Sequence, residues 1–306
     1  MGDENEMGRL PTFLVIGAAR SGTTALYIYL QQHPQVFMSP IKEPNFFSFE
    51  GQSLDVRGPG HDYIDNSITD FASYRALFED APPQGAVGEA SPLYLYAEQA
   101  PARIRHHLPE ARLIAILRNP VEQAFSHFLY ARRQTLEPLD DFSAALDAQP
   151  ERAADHWQPL FQYSRFPRYG EQLQRYYALF PAGQIQIHLY EDFEEDPHAV
   201  LADVFDFIGV DRAFEADVGY RPNVGGVPRS SFLQNLVMRP NLLSRVVGPL
   251  VPEELKRRVR DAVSDRNVER PRLDDRTRER LRDELESDVR ILQELIGRDL
   301  SAWLED

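Results

Sequence analysis

Residues 12–24 read TFLVIGAARSGTT, and this stretch joins an apolar, β-rich run to the beginning of a helical pattern. The apolar run ends at Gly17, and the residues that follow Gly22 have the composition of a helix that stops before Pro34. A buried strand that passes through a short turn into a helix is the building unit of parallel α/β folds. The turn therefore indicates the fold class that the rest of the chain must fit.

The same alternation continues along the chain. Four further short apolar runs are predicted strands, at 36–38, 86–88, 112–117 and 184–189, and helical patterns occur at 71–78, 94–107, 119–133, 169–180 and 200–208. Strands that are connected through helices pair in parallel, and the helices cover both faces of the sheet. We therefore predict an α/β, P-loop-like three-layer fold with a central parallel sheet flanked by helices.

The whole chain, residues 1–306, is predicted to form a single domain. Residues 1–11 are polar and end in a proline, so we expect a flexible leader. Residues 253–306 mix acidic and basic side chains with Leu, Val and Ile at helical spacing. This pattern predicts a helical C-terminal part whose amphipathic helices pack on the core.

Composition excludes several classes of function. The chain has no cysteine and a net charge of −15, so disulfides and Cys-ligated zinc are excluded and a broad nucleic-acid-binding surface is disfavoured. Its apolar runs are far shorter than the ~20 residues of a membrane span, and its first six residues are acidic where a signal peptide would be basic. We expect a cytoplasmic protein without a transmembrane segment. No His or carboxylate cluster has metal-ligand spacing, so no metal site is predicted.

The turn after the first strand has the features of an anion-binding site. Its two glycines follow a G-x-x-x-x-G spacing, and Arg20, Ser21, Thr23 and Thr24 supply a cation and three hydroxyl donors. A Walker A loop would carry a lysine directly after the second glycine, and Thr23 stands there instead. The alternative interpretation is an ordinary strand-to-helix turn.

A second cation follows the predicted strand 112–117. Arg118 lies at the carboxyl end of that strand, where parallel α/β sheets bind their ligands. Ser126 is eight residues further on, in the next helix, so two helical turns bring its hydroxyl towards the same anion. Considered alone, the two residues could equally be a surface ion-pair partner and an exposed helix residue.

Two stretches that contain these residues resemble motifs of a known enzyme family. Residues 13–30 (FLVIGAARSGTTALYIYL) are similar to the 5′-phosphosulfate loop of sulfotransferases that use 3′-phosphoadenosine 5′-phosphosulfate (PAPS). Residues 113–130 (LIAILRNPVEQAFSHFLY) are similar to the 3′-phosphate motif of the same family. The branch that the chain resembles most contains the bacterial sulfotransferases and the heparan sulfate N- and 3-O-sulfotransferases. Shorter similarities occur at 89–94, 180–185, 190–193 and 295–303.

The resemblance implies transfer of a sulfuryl group from PAPS to a hydroxyl or amine, with adenosine 3′,5′-bisphosphate (PAP) as the product and no metal requirement. It also implies which residues bind the nucleotide. The 5′-phosphosulfate would be held by the loop residues Arg20, Ser21, Gly22, Thr23 and Thr24. The 3′-phosphate would be held by Arg118 and Ser126, and by Arg229 in a glycine-containing loop at 223–230.

The loop departs from the family pattern at one position. Arg20 stands where most family members have a lysine that neutralises charge on the leaving oxygen. We interpret Arg20 as a functional substitute, although a guanidinium is bulkier and a poorer proton donor than an ammonium group. Lys42, the only lysine before residue 256, is a candidate helper for the same oxygen.

The resemblance also indicates a general base. Residues 42–47 (KEPNFF) match a family segment in which a glutamate accepts the acceptor's proton, so Glu43 is the candidate base. Other sulfotransferases use histidine, but none of the eight histidines lies in a matching motif. Glu89 is a second carboxylate, expected to support the substrate or Lys42. The residue after it is Ala90, where 3-O-sulfotransferases have lysine, which argues against their polysaccharide specificity.

The acceptor is expected to bind between segments 45–70 and 155–170, which are rich in aromatic residues. Candidate wall residues include Phe46, Phe47 and Tyr163. An aromatic wall and a negative net charge favour a small hydroxylated metabolite, a lipid or a neutral glycan over a polyanion. The alternative for these aromatics is packing of the loops onto the core. The alternatives for the chain are a phosphoryl-transfer kinase and a non-catalytic nucleotide-binding module.

Overall fold

The structure, a computed structural model, describes residues 9–219 and 271–305 and the backbone of two short paired strands, Val227–Pro228 and Val268–Glu269. The predictions for Arg229, for residues 1–8 of the leader and for 253–267 of the C-terminal part lie outside the described residues.

The apolar run at the start of the chain is the central strand of a five-stranded parallel sheet. The strands are β1 (Phe13–Gly17), β2 (Val36–Met38), β3 (Ala86–Ala90), β4 (Arg112–Leu117) and β5 (Ile185–Leu189). They are ordered β2-β3-β1-β4-β5, and every neighbouring pair is parallel. All five residues of β1 are buried, as expected for a strand that is covered on both faces.

Helices follow the strands and alternate with them. The helices are α1 (Thr23–Gln31), α2 (Phe46–Phe49), α3 (Asp62–Asp65), α4 (Phe71–Ala76), α5 (Leu93–Tyr96), α6 (Ala100–His107), α7 (Pro120–Arg133), α8 (Phe142–Asp147), α9 (Gln149–Ala154), α10 (Tyr169–Tyr177), α11 (Tyr190–Glu195), α12 (Pro197–Ile208) and α13 (Asp275–Ile296). Short 3-10 helices occur at Pro159–Phe161, Ala182–Gln184 and Ser301–Trp303. None of the helices in the described ranges has the length and hydrophobicity of a membrane span.

The side chains of β1 point alternately into two separate cores. Leu14 and Ile16 pack with residues of α6, α10 and α13 on one face of the sheet. Phe13 and Val15 pack with residues of α1 and α12 on the other face. The three-layer α/β arrangement predicted from the sequence is therefore confirmed.

The helix α13 fastens the C-terminal part of the chain to the sheet. Its residues Val289 and Leu292 are buried in the same core as the sheet. Asp288 accepts hydrogen bonds from the backbone N–H groups of Gly170 (2.9 Å) and Glu171 (2.8 Å) at the start of α10. A carboxylate at this position satisfies helix N–H groups that have no partner within the helix.

The core also contains a carboxylate, that of Glu89 on β3. Glu89 is fully buried, and its carboxylate accepts hydrogen bonds from the hydroxyls of Tyr74 (3.3 Å), Ser91 (2.8 Å) and Tyr94 (2.6 Å). Burial raises the pKa of Glu89 to about 7, although the three hydroxyls and the charge of Lys42 act in the opposite direction. Desolvation of the charged form is therefore the larger effect.

Replacing Glu89 with glutamine is expected to change how stability depends on pH. The pKa of Glu89 rises from 4.5 to about 7 on folding, so between these pH values the folded chain binds a proton that the unfolded chain does not. The free energy of unfolding of the wild type should therefore fall as pH rises through this window, by up to about 3 kcal/mol from this group. Glu89→Gln lacks this contribution. Urea unfolding of both proteins from pH 4.5 to 7.5 measures it, and a difference between them that does not vary with pH would contradict it.

Candidate active site

The loop between β1 and α1 brings backbone donors to the carboxyl edge of the sheet. Gly22, the residue before α1, has a left-handed conformation (φ 88°), and a Cβ there would lie 3.1 Å from the Phe193 ring. Both the conformation and the close approach favour glycine. No side chain of the described residues caps the N-terminus of α1. Its N–H groups can therefore bind an anion.

The side chains of this loop have unused hydrogen-bonding capacity. Ser21 is fully buried, and in the described part of the chain neither its Oγ nor the buried Nε of Arg20 has a hydrogen-bond partner. Buried polar groups in proteins nearly always have partners, so two unpaired donors in one loop indicate a bound polar group. Thr23 and Thr24 begin α1 beside them. This donor set fits a phosphate or phosphosulfate group.

Arg20 is placed by the aromatic ring of Tyr130 on α7. Its guanidinium carbon lies 4.6 Å from the centre of that ring. Burial lowers the pKa of Arg20 to about 10, and the charge of Arg118 acts in the same direction. The side chain therefore stays cationic at neutral pH, and it is held next to a second cation.

Arg118 follows β4 and reaches the same loop. Its Nη1 lies 3.5 Å from the carbonyl oxygen of Arg20, and its guanidinium carbon lies 4.9 Å from the ring centre of Tyr190. Within the described ranges, no carboxylate oxygen lies within 4.0 Å of either guanidinium. Two neighbouring cations without carboxylate partners at one sheet edge form a receptor for an anion.

The helix α7 is attached to the loop through Gln123 and carries Ser126. The Gln123 side-chain amide donates to the carbonyl of Ala19 (2.9 Å), and Asn119 caps the start of α7 through Val121 N–H (3.0 Å). Ser126 is partly exposed, and no direct contact links it to Arg118 in the described residues. The short strand Val227–Pro228 lies against α7, the helix that carries Ser126.

The carboxylate of Glu43 has two side-chain partners, Lys42 and Tyr63. Its backbone N–H donates to the carbonyl of Ala90 at the end of β3 (3.0 Å), which fixes the segment at the sheet edge. One carboxylate oxygen is paired with the ammonium group of Lys42, and the other accepts a hydrogen bond from the hydroxyl of Tyr63. Lys42 is therefore a direct partner of Glu43.

Glu43 and Arg20 line one cleft of about 350 Å³. Half of the other lining residues are apolar, and the other half carry polar side chains. These lining residues are Ala19, Thr23, Thr24, Asn45, Gly60, Asp62, Tyr63, Ile64, Pro92, Leu93, His127, Tyr130, Gln134, Leu136, Gln158, Pro159, Leu160 and Phe166. The segments 45–70 and 155–170 thus contribute to the wall of this cleft, and their role in binding an acceptor stays a prediction.

The aromatic residues expected to form this wall are mostly elsewhere. Phe46 and Phe47 are fully buried in the core that contains α6, and Tyr163 is fully buried in a separate cluster around α7 and α8. The cleft lining includes none of the three, contrary to the prediction. They are core residues because their loops fold back on the helices, which was the alternative interpretation.

Glu89 is likewise absent from the cleft wall, since its carboxylate is enclosed by Tyr74, Ser91 and Tyr94. A direct contact of Glu89 with an acceptor, which the sequence suggested, does not fit this position. Its second expected role, support of Lys42, stays a prediction, since no hydrogen bond joins the two side chains in the described residues.

Two residues of the cleft were missed by the sequence reasoning. His127 is buried beside Arg20, and burial, aided by the charge of Arg20, lowers its pKa to about 3, so the imidazole is neutral. The ring of Tyr130 packs against the guanidinium group of Arg20. Both follow Gln123 on α7 at helical spacing, at i+4 and i+7. A helical projection of residues 119–130 would therefore have placed them on the same face as Gln123, which contacts the glycine loop. Among the described residues no His, Asp and Glu cluster could hold a metal ion.

Comparison with known proteins agrees with the geometry of this site. The sulfotransferase domain family matches residues 10–217. The chain is 31% identical over 220 residues to the human bifunctional heparan sulfate N-deacetylase/N-sulfotransferase 3, a match that covers 68% of this chain and 23% of that protein. It is 28% identical over 271 residues to the human heparan sulfate glucosamine 3-O-sulfotransferase 6, covering 83% of this chain and 68% of that protein.

Among solved structures, a sulfotransferase from Alicyclobacillus acidocaldarius superimposes with a TM-score of 0.76 and 30% identity, covering 97% of this chain and 100% of that one. The chain spans about a quarter of the length of the bifunctional human relative. The family match nevertheless contains β1 to β5, the glycine loop, Glu43 and both arginines. The chain therefore belongs to the sulfotransferase family.

Proposed function

We propose that this chain transfers a sulfuryl group from PAPS to a hydroxyl or amine of an acceptor and releases PAP. The observation that carries the proposal is the meeting of two arginines at the glycine loop: Arg118 reaches the carbonyl of Arg20, and Arg20 lines the cleft that also contains Glu43. One cleft therefore combines a cation that attracts an anionic donor with a carboxylate that can act as a base. Family membership supports the same reaction.

In the proposed nucleotide site, the two arginines bind different phosphate groups of PAPS. The 5′-phosphosulfate binds the backbone N–H groups at the start of α1 and the side chains of Arg20, Ser21, Thr23 and Thr24, which supply a cation and hydroxyl donors. The 3′-phosphate binds Arg118 and Ser126, and Arg229 completes this part of the site in the proposal. Charge-assisted hydrogen bonds at two separated phosphates fix the nucleotide in one register.

We assign stabilisation of the leaving oxygen to Arg20. Arg20 remains cationic and lies in the loop that would hold the reacting end of PAPS. Lys42 is the alternative cation, but its ammonium group is paired with Glu43. In this proposal Lys42 orients the base, and Arg20 neutralises charge as the sulfur–oxygen bond breaks.

Glu43 is the proposed general base. The acceptor hydroxyl donates its proton to the Glu43 carboxylate while its oxygen forms a bond to sulfur, and the bond from sulfur to the 5′-phosphate oxygen breaks. Glu43 lines the cleft that Arg20 also lines, so the base and the leaving-group stabiliser share one cleft. The backbone bond from Glu43 to Ala90 holds the base in place.

The proposed acceptor is a small, uncharged, hydroxylated molecule, either a metabolite, a lipid or a neutral glycan. The part of the cleft beyond Arg20 is lined by apolar side chains such as Leu93, Leu136, Leu160 and Phe166. A polyanionic chain would need a basic path to Glu43, and among the described residues that line the cleft Arg20 is the only cationic side chain.

PAP is expected to raise the melting temperature of the wild type, because a ligand of the folded state adds RT ln(1 + [L]/Kd) to its stability. Arg118→Ala should remove most of this increase, since the 3′-phosphate loses its cation. Arg290→Ala, which alters an exposed arginine paired with Glu286 on α13, should retain it. Thermal unfolding with PAP and with ADP measures the effect. Equal stabilisation by ADP and PAP, unchanged in Arg118→Ala, would contradict the nucleotide assignment.

Glu43→Gln should lower turnover by roughly 10²–10⁴-fold, the usual contribution of a general base, and leave PAP binding near the wild-type value. Glutamine has nearly the same shape but does not accept a proton at neutral pH. The matched control is Glu79→Gln, an exposed glutamate outside the cleft. Transfer of labelled sulfate from PAPS into an extract of the source organism measures turnover. Wild-type turnover in Glu43→Gln would mean that another group accepts the proton.

Transfer to defined acceptors tests the proposed acceptor class. With labelled PAPS, we expect product from 2-naphthol, a long-chain alcohol or an uncharged oligosaccharide, and at least tenfold less from heparosan, since the wall supplies no basic path for a polyanion. Product analysis by mass identifies the modified compound. Transfer to heparosan but to none of the uncharged acceptors would overturn this assignment and leave the sulfotransferase reaction standing.

A further inference from the structure

The proposed base is already bound to a hydroxyl of this chain. Glu43 accepts a hydrogen bond from the phenol of Tyr63 on one carboxylate oxygen, while Lys42 is paired with the other oxygen. A reacting acceptor must donate its hydroxyl proton to the same carboxylate. The Tyr63 hydroxyl therefore lies where the mechanism requires the acceptor hydroxyl.

Tyr63 lies on the short helix α3, and the segment that contains this helix is attached to the rest of the chain at both ends. Before it, the backbone of Arg57 bonds to His156 (2.7 Å) and Gln158 (3.1 Å), and after it the N–H of Ile68 donates to Pro44 (2.9 Å). The Tyr63 side chain is 51% exposed and borders the same cleft as Arg20. The ring is thus accessible from solvent, although its hydroxyl is directed at the base.

A second tyrosine of the cleft is placed differently. Tyr130 lies beneath the guanidinium of Arg20, and its hydroxyl makes no hydrogen bond to Glu43 in the described residues. Burial raises the pKa of Tyr130, so loss of its proton is disfavoured. Of these two tyrosines, Tyr63 alone combines a hydroxyl on the base with a position in the cleft.

We propose that Tyr63 is itself a sulfuryl acceptor, so that the chain sulfates its own tyrosine when PAPS is bound and no external acceptor is present; this rests on the proposed function. Glu43 takes the proton from the Tyr63 hydroxyl, and the phenol oxygen forms a bond to sulfur. The bond between sulfur and the 5′-phosphate oxygen breaks, and PAP leaves with that electron pair. The product is a tyrosine O-sulfate ester and a protonated Glu43.

The modification would also change the cleft. The ester replaces a neutral hydroxyl donor with an anion in a cleft that also contains the carboxylates of Glu43 and Asp62. These carboxylates repel the sulfate group. The sulfated ring can no longer donate a hydrogen bond to the base. External acceptors compete with this reaction, because they must occupy the same carboxylate oxygen.

The test is incubation of the purified chain with sulfur-35-labelled PAPS alone, followed by peptide mapping. We expect label on the peptide that contains Tyr63, resistant to phosphatase, at a rate per chain that does not depend on protein concentration. Tyr63→Phe should lose the label, and Glu43→Gln should slow labelling by roughly 10²–10⁴-fold. Tyr177→Phe, a tyrosine of α10 outside the cleft, should be labelled like the wild type. Added 2-naphthol should reduce labelling.

Three results would overturn the proposal: no label on a chain that PAP stabilises, label on Tyr130 instead of Tyr63, or a rate per chain that rises with protein concentration. The first of these leaves the proposed function intact, because PAP stabilisation and transfer to other acceptors are measured separately. Absence of both PAP stabilisation and transfer to every acceptor would overturn the proposed function as well.

Discussion

Two arginines brought together at one edge of the sheet, Arg20 and Arg118, are the constraint on which the rest of the site depends. They repel each other, and in the described part of the chain no carboxylate relieves this repulsion. The fold enforces their proximity because β1 and β4 are parallel neighbours, so the residues after both strands emerge at the same edge. An anion bound between them removes the electrostatic cost, which makes binding of an anionic donor favourable.

The cleft that Arg20 lines also contains a carboxylate, that of Glu43. Glu43 is fixed to the end of β3 through Ala90, so the base, like the two cations, is positioned by the carboxyl edge of the sheet. Its partner Tyr63 lies on the short helix α3 and is half exposed, so an acceptor can replace it on the carboxylate without disturbing the core. Rigid strands thus hold the reacting groups, and loops provide the surface that meets the acceptor.

The sequence allowed prediction of the features that depend on local pattern. The parallel sheet, the glycine loop and the cations at its edge follow from apolar runs, turn residues and spacing, and these are properties of neighbouring residues. The predicted helix at 94–107 is in fact two helices, α5 and α6. Pro101 has no N–H to donate to the carbonyl of Ala97, and its ring would clash with that carbonyl in a continuous helix. The roles of Phe46, Phe47 and Tyr163 could not be read in the same way, since composition does not distinguish an aromatic residue in a cleft wall from one in the core.

A crystal structure of the chain with PAP tests the central claim most directly. The account predicts the 3′-phosphate within hydrogen-bonding distance of Arg118 and Ser126, and the 5′-phosphate at the N-terminus of α1, bonded to the loop that carries Arg20. It also predicts that the space beside Glu43 stays open for an acceptor. A nucleotide bound with its phosphates away from Arg20 and Arg118, or with its base against Glu43, would contradict the account.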